Sequence, residues 1–405
     1  MKLLHTADWH VGKAIRGHSR AGEHRAVLAE MAGIAAAERV DLVIVAGDLF
    51  DTAAPTAEAE GITYEGLLAL AEVAPVVIVA GNHDSPRRLD AVGPLLALGR
   101  VTVVTAPRPP DDGGVVTLTT GDGTPVRVAC LPFVSQRAIV RADALMDNLA
   151  YENAQTYGDR LAQVLKALAA GFDDQAVNVI TAHLFVAGGA TGGGERPAHL
   201  VDEYGVSAVD FPYTANYVAL GHLHRAQAVP GPTAIHYPGS PLALDFGETD
   251  EPKSVNLVTT EPGLPARVTA VPLSAGRRLR TLKGDLADLM AQADDLDRRG
   301  ELGHDDHPAA PWLRVIVTEK ARVGLADEIR MRLGDGVVEV RVAAPDEARP
   351  AAATRRGRTP GELFADYLDE RGVDDARLRA GFVALHDELV TPAGTEAGSA
   401  GEEPG

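Results

Sequence analysis

The sequence predicts an α/β (α+β) chain: two β-sheets packed together with helices flanking them, then a small second α/β unit and a helical C-terminal region. Three observations carry this. Apolar runs rich in Val and Ile, "LVIVAGD" (42–48) and "VVIVAGN" (76–82), bracket an Ala/Leu/Glu-rich stretch at 55–74, which is a β-α-β pattern. After residue 100, short β-rich runs are parted by clusters of Gly, Pro and Asp. From 276 to 343 strand and helix alternate again, and the composition then turns to that of a linker.

Each element follows from its residues. The runs at 42–48 and 76–82 are continuously apolar, as strands covered on both faces are, and each ends in Gly plus a polar residue. Such an ending sets polar side chains at the carboxyl ends of strands, where open α/β sheets bind their ligands. "VTVVTA", "VVTLTT" and "VRVACLPF" are expected to form hairpins. Residues 142–170 read as a long helix, and "AVNVITAHL" (176–184) as another buried strand. "NYVALGHLH", "AIHYPGS" and "SVNLVTT" continue as short strands to about residue 273.

At 405 residues the chain is too long for one ordinary core. The expected organisation is a core over 1–273 and a second unit over 276–343, then a linker over 344–360, a helical region over 361–390 and a disordered tail over 391–405. The second unit runs strand (278–282), helix (285–298), polar loop (299–310), strand (312–318), helix (323–334), strand (336–342). The C-terminal helices are amphipathic, with Leu363, Phe364, Tyr367 and Leu368 on one and Leu378, Phe382, Leu385 and Leu389 on the other. A linker separates them from the core, so their apolar stripe is expected to meet a partner.

Composition narrows the class. Cys130 is the one cysteine, so there is neither an intrachain disulfide nor a thiol cluster for zinc, and a reducing cytoplasm fits. The opening "MKLLHTADWH" turns polar by residue 5, unlike a signal peptide. No run approaches the ~20 apolar residues of a membrane span. The net charge of -19 argues against a generally basic surface. It does not exclude an enzyme acting on DNA, because metal neutralises carboxylates and a partner can supply a basic groove.

The chemistry lies at the predicted strand ends. "HTADWH" carries Asp8 and His10, "AGDLFD" carries Asp48 and Asp51, and "AGNHDS" carries Asn82, His83 and Asp84. "TAHL" adds His183 and "LGHLHR" adds His222 and His224. In a strand, positions two apart face one side, so His222 and His224 are expected to aim at one place. Asp, His and Asn all suit a borderline-hard divalent ion. With one bridging Asp, the set Asp8, His10, Asp48, Asn82, His183, His222, His224 fills two sites with room for water. Two ions ~3.5–4 Å apart activate water and clamp a phosphoryl group. His83, beside Asn82, is then placed to reach the phosphate and protonate the leaving oxygen, with Asp51 or Asp84 holding its tautomer. Arg16, His18 and Arg20 after D-x-H, Arg87 and Arg88 after G-N-H-D, and "GRRLRTLKG" (276–284) are candidate phosphate contacts, with an ordinary solvated surface as the alternative.

The series D-x-H, G-D-x-x-D, G-N-H-D, H, G-H-x-H across residues 8–224 resembles the calcineurin-like metallophosphoesterase superfamily. The resemblance implies a four-layer αββα core. It implies one metal at Asp8, His10, Asp48 and His224, a second at Asp48, Asn82, His183 and His222, and His83 as the catalytic histidine. "MKLLHTADWHVGK", "GDLFDTAAPTAEA", "GNHDSPRRL" and "ALGHLHRAQ…YPGSPLALDFGE" resemble, more narrowly, the branch of nuclease subunits that process broken DNA. What that branch implies is manganese (magnesium as the alternative), and a capping domain over 276–343 that presents DNA. It also implies a homodimer within a larger assembly, and C-terminal helices that dock on a coiled-coil ATPase of the SbcC type. The glycine-rich "HLFVAGGATGGGERP" after His183 departs from the pattern and has no assigned role.

Three functions compete. The first is a two-metal DNA phosphodiesterase that, by the resemblance, acts as ATP-dependent double-strand exonuclease and single-strand or hairpin endonuclease in repair, recombination and replication. The second is a small-molecule phosphatase or cyclic-nucleotide phosphodiesterase on the same fold, disfavoured by the 130 or so residues beyond the core. The third is a non-catalytic scaffold tethering DNA ends, disfavoured by the intact ligand set.

Overall fold

The computed structural model describes residues 1–135, 157–192, 205–249, 251–300, 310–320 and 322–343, with Phe364, Leu368, Arg377, Leu378, Gly381 and Phe382. It divides into two compact units, Met1–Ala343 and Ala344–Gly405.

The first unit contains two six-stranded sheets among the described residues. In one, β1 (Lys2–Thr6), β2 (Leu42–Val45), β3 (Val76–Val79) and β4 (Val101–Val104) run parallel. Two later strands, β11 (Ser254–Thr259) and β12 (Arg267–Pro272), join antiparallel beside β1. In the other, β6 (Pro125–Leu131), β7 (Val177–His183), β8 (Tyr217–Gly221) and β10 (Ala234–Tyr237) are parallel. Antiparallel strands β5 (Val115–Thr119) and β9 (Gln227–Val229) close its edges. The expected hairpin exists for β5 and β6. β4 instead adds in parallel to the first sheet, because the helix α3 (Pro86–Leu98) crosses over between β3 and β4. Pro86 opens that helix at a position where a missing N–H is harmless.

Alternation along the strands sets four layers. Leu3, Leu42, Ile44, Val77 and Val79 of the first sheet meet Val128, Cys130, Val177, Val179 and Tyr217 of the second. Their neighbours Leu4, Val43, Val45, Val76 and Ile78 face the other way, onto α1 (Ala21–Glu38), α2 (Ala57–Val73) and α3. On the second sheet Leu131, Ile180, Ala182, Val218 and Leu220 pack with Leu161, Val164, Leu165 and Leu168 of α4 (Tyr157–Leu168). The αββα order is therefore the period of two acting on strands buried on both faces. The expected helix start near 142 lies outside the described residues.

A three-stranded parallel sheet follows: β13 (Leu279–Gly284), β14 (Trp312–Val317) and β15 (Val337–Val342), in that order. The helices α5 (Leu286–Arg298) and α6 (Leu325–Leu333) pack on it through Leu289, Ala293, Leu325 and Ile329. Asp285 starts α5 with a capping box to Asp288. This small unit is fastened to the core mainly by α1. Glu23 accepts from Arg20 Nε at 3.0 Å and Nη2 at 2.7 Å, from Arg277 N at 2.7 Å and from Trp312 Nε1 at 2.9 Å. Arg277 lies over the Trp312 ring, 3.5 Å from its centroid. Two turns on, Glu30 takes the Ser274 N–H and O–H and the Ala275 N–H. Ile15, Phe246, Leu279 and Trp312 form the apolar seam beside these bonds.

The expected linker (344–360), most of the helical region (361–390) and the tail (391–405) lie outside the described residues. In the second unit Phe364 and Phe382 are helical, and their rings stack with centroids 4.1 Å apart.

The Arg20 guanidinium is fully buried, so removing its partner leaves an unmatched charge. We expect Glu23→Ala to cost about 3–5 kcal/mol, with urea unfolding as the measurement and faster hydrogen exchange in β13 and β14 as its local signature. The Arg88–Glu60 pair is exposed and its removal should cost less than about 1 kcal/mol. Burial raises the Glu23 pKa, but Arg20 outweighs it and holds the carboxyl below 4.5. Its contribution is therefore present above pH 4.5 and should fade as pH falls further.

Candidate metal centre

The parallel strands of both sheets end at one edge, and each end delivers part of the site. Asp8 and His10 follow β1, Asp48 follows β2, and Asn82, His83 and Asp84 follow β3. His183 is the last residue of β7, while His222 and His224 follow β8. The first two loops are spliced together, since Asp8 N donates to Gly47 O and His10 N to Asp48 O, each at 3.0 Å.

Local backbone is distorted to bring these groups in. Asp8, His10, Asp48 and His222 have φ of 54°, 46°, 51° and 106°, a region that side chains beyond glycine rarely adopt. Two motif glycines are required by close approach. A Cβ on Gly81 would stand 2.1 Å from Asp48 Oδ1, and one on Gly221 would stand 1.9 Å from Ala46 O. The Gly in G-N-H-D and in G-H-x-H therefore makes room for the opposite loop.

His222 and His224 lie beyond β8, so strand alternation does not set their direction. The turn of backbone at His222 separates them. His222 Nδ1 is 2.9 Å from Asn82 Oδ1, whereas His224 Nε2 is 3.1 Å from His10 Nε2. Leu223 between them is buried in the core of the second sheet.

Three groupings result. Atoms of Asp8, His10 and His224 lie within 4.8 Å of one another, as do atoms of Asp8, Asp48 and His183, and atoms of His10, Asp48 and His83. His183 Nε2 is 2.9 Å from Asn82 Oδ1 and 3.5 Å from Asp48 Oδ2, and His10 Nε2 is 3.6 Å from Asp48 Oδ2. Asp8 and Asp48 are thus each shared between groupings.

Protonation decides what these distances mean. His183 Nδ1 is 2.8 Å from the carbonyl of Ala46, which can only accept, so Nδ1 carries the proton and Nε2 a lone pair. The amide oxygen of Asn82 offers a second lone pair, and the Asp48 carboxylate more. Burial pushes the His10 pKa well below 6.5, against the pull of Asp51, so His10 is neutral as well. Neutral imidazoles and carboxylates pointing lone pairs at common points form a donor set for cations. Two imidazole nitrogens held at about 2.1 Å by one ion stand roughly 3.0–3.4 Å apart, which brackets the His10–His224 separation. Asp8 and Asp48 are buried, and they accept from the N–H groups of His222 (3.0 Å to Asp8) and His83 (2.7 Å to Asp48), which fix their orientation. The residues fit divalent ions.

His83 is half-buried, with its ring centroid 4.6 Å from that of His10. Its distances also allow it to share an ion with His10 and Asp48. Its orienting partner is not either expected carboxylate: His83 Nδ1 donates to the main-chain carbonyl of Asp51 at 2.6 Å. The Asp51 side chain instead accepts from Lys13 at 3.1 Å and stands 3.7 Å from His10 Nδ1. Asp84 is buried and accepts from Phe50 N (3.1 Å) and Gly81 N (2.8 Å), tying the second loop to the third. Burial and the nearby Asp48 raise its pKa to about 7.

Sequence reasoning missed Phe133, whose ring centroid lies 6.3 Å from those of both His183 and His222. Its signal was its place just past the apolar run of β6. Of the candidate phosphate contacts, Arg20 is buried against Glu23 and is unavailable to solvent. Arg16 pairs with Glu339 at 2.8 Å and Asp245 at 3.4 Å, and the His18 ring lies against Trp312. Arg87 and Arg88 are exposed.

Comparison with known proteins matches this arrangement. A family model for calcineurin-like phosphoesterases covers residues 1–226, and one for the type 5 capsule protein repressor C-terminal domain covers 275–371. The SbcD subunit of the SbcCD nuclease from Bacillus subtilis is 37% identical over 282 residues, covering 69% of this chain and 71% of the relative. Its counterpart from Escherichia coli K12 is 33% identical over 302 residues, covering 72% and 73%. That from Rhodobacter capsulatus is 33% identical over 386 residues, covering 90% and 94%. Among solved structures, a dimetal phosphatase from Danio rerio aligns at a TM-score of 0.40 and 14% identity over 68% of this chain and 99% of its own, too distant to bear on function. The matched residues 1–226 contain every strand-end donor, and the chain belongs to the calcineurin-like phosphoesterase family, in the group of SbcD subunits of SbcCD nucleases.

Proposed function

We propose that this chain is a metal-dependent DNA nuclease using two divalent ions, manganese in preference to magnesium. One is held by Asp8, His10, Asp48 and His224, the other by Asp48, Asn82, His183 and His222. The observation that carries the reading is the set of Asp and His clusters that share Asp8 and Asp48, with His83 at its edge. When bound, the ions supply positive charge at the phosphate oxygens and lower the pKa of the attacking water.

The chain's own residues do the rest. The Ala46 carbonyl holds His183 with Nε2 turned inward, and Asn82 is held between His183 and His222. Phe133 walls one side of this pair. The Asp51 carbonyl binds Nδ1–H of His83, so proton exchange is confined to Nε2. Protonated there, His83 donates to the departing 3′ oxygen as the water oxygen bonds to phosphorus and the P–O bond breaks. Exposed Arg87, just beyond the G-N-H-D loop, is suited to a neighbouring phosphate, whereas Arg88 is paired with Glu60 at 2.9 Å.

The relatives, named as subunits of SbcCD, support an assembly of the same kind. The chain acts in the cytoplasm with a coiled-coil ATPase of the SbcC type, as a homodimer within the complex. It cuts double-strand ends exonucleolytically in an ATP-dependent way and single strands or hairpins endonucleolytically. The unit at 276–343 presents DNA, and 361–390 docks the ATPase.

His83→Ala should bind two manganese ions per chain yet cleave linear duplex DNA about 10²–10⁴-fold more slowly. Normal cutting by that variant, or preference of the wild-type protein for a cyclic nucleotide over DNA, would overturn the reading. His222→Ala and His224→Ala should each retain one ion, from different sites, as read by metal titration and by anomalous scattering from manganese-soaked crystals. Deleting 361–390 should abolish association with the ATPase while leaving two ions per chain; undiminished association in a pull-down removes the docking assignment.

A further inference from the structure

Behind His224 lies a polar cluster to which the two-metal reading gives no role. Glu248 is fully buried, yet it is saturated with donors. Its Oε1 is 3.2 Å from His224 Nδ1. Its Oε2 accepts from Lys253 Nζ at 2.6 Å, Leu244 N at 3.1 Å and Ser240 Oγ at 3.3 Å. Lys253 Nζ also donates to Ser240 Oγ at 3.0 Å and to the His224 carbonyl at 3.3 Å. Ser240, Leu244, Glu248 and Lys253 all lie beyond residue 226, where the match to the phosphoesterase family model ends.

A buried carboxylate with a lysine partner costs more desolvation than an apolar pair of the same volume contributes, so packing alone does not account for it. Its orientation does. One oxygen faces the lysine and two polar groups; the other faces the one imidazole nitrogen pointing away from the metal centre. A carboxylate can only accept, so Nδ1 must carry the proton, which leaves Nε2 as a lone pair directed at His10 Nε2, 3.1 Å away.

We propose that Glu248, clamped by Lys253, is a positioning residue that locks His224 in the tautomer with its lone pair on Nε2 and thereby sets the affinity of one of the two metal sites. Lys253 acts one step further out: it holds Glu248 ionised and fixes the His224 main chain at the same time. Ala46 does for His183 what Glu248 does for His224, but with a neutral carbonyl. The two sites are thereby made unequal, since the full negative charge behind His224 raises its basicity towards a cation beyond what a carbonyl gives His183.

This rests on the two-metal reading, and the test separates the two. Manganese is titrated into the metal-free full-length protein, with affinity read by calorimetry and the ions by electron paramagnetic resonance. Glu248→Ala should weaken one site about 10–100-fold and leave the other unchanged. At an intermediate manganese concentration the coupled two-ion signal should give way to the six-line signal of a single ion. Glu248→Gln, which keeps volume and one acceptor oxygen, should lose less than Glu248→Ala, and Lys253→Met should fall between Glu248→Gln and wild type. If Glu248→Ala does not fold, the order of Glu248→Gln and Lys253→Met relative to wild type carries the test. Both sites at wild-type affinity in folded Glu248→Gln and Lys253→Met would overturn the proposal and leave the metal reading standing. Parallel loss of both sites would reduce Glu248 to a structural residue. No manganese bound by the wild-type protein would sink the metal reading itself.

Discussion

Buried electron-rich groups held against one another are the constraint on which the rest of the architecture turns. Asn82 Oδ1 and His183 Nε2 stand 2.9 Å apart, although His183 carries its proton on Nδ1, and the imidazole of His10, kept neutral by burial, meets that of His224 through Nε2 at 3.1 Å. No protein would hold such groups together without cause. Positive φ at Asp8, His10, Asp48 and His222 costs about 1–3 kcal/mol each, together the same order as the 5–15 kcal/mol by which a domain is usually stable. The site therefore has to be imposed by the scaffold. Two sheets buried face to face supply it, because their parallel strands end at one edge and the loops there are spliced by main-chain bonds.

Much of this was legible in the sequence, and the reasons are specific. "LVIVAGD" and "VVIVAGN" announce β2 and β3 because strands covered on both faces need unbroken apolar residues, and the Gly after each marks where another loop comes within reach. The strand–helix order over 278–342 emerges for a similar reason: each period is long enough to repeat. What failed was pairing. "VTVVTA" carries no sign that it adds in parallel to β3, since direction depends on α3, whose residues 86–98 include Pro94 and make a poor helical signature. His222 and His224 were aimed by strand alternation, and the strand stops at Gly221.

Side-chain partners were less legible than ligands. A main-chain carbonyl leaves no trace in residue identity, so nothing could single out Ala46 behind His183 or Asp51 O behind His83. Arg20 illustrates the reverse error. An arginine close to D-x-H looks like a phosphate contact, but Glu23 three residues along the chain is its partner, and the pair is committed to Trp312 and Arg277 beside the small sheet. Had the i,i+3 spacing been weighed against proximity to the motif, the buried pair was readable.

The same pairing resolves the tension between a net charge of -19 and a polyanionic substrate. At physiological ionic strength charges more than about 8 Å away are largely screened. Repulsion from carboxylates spread over 405 residues therefore matters little at the site, and the local inventory decides. There the arginines nearest the D-x-H loop are already matched: Arg16 with Glu339 and Asp245, Arg20 with Glu23. They join the small sheet to the loop that carries Asp8 and His10, and they add no net attraction for phosphate. Arg87 beyond the G-N-H-D loop can meet a flanking phosphate, so at the scissile bond the cationic character comes from the divalent ions themselves. The centre thus couples substrate affinity to metal occupancy more tightly than a basic groove would, because emptying it leaves Asp8 and Asp48 facing the phosphate.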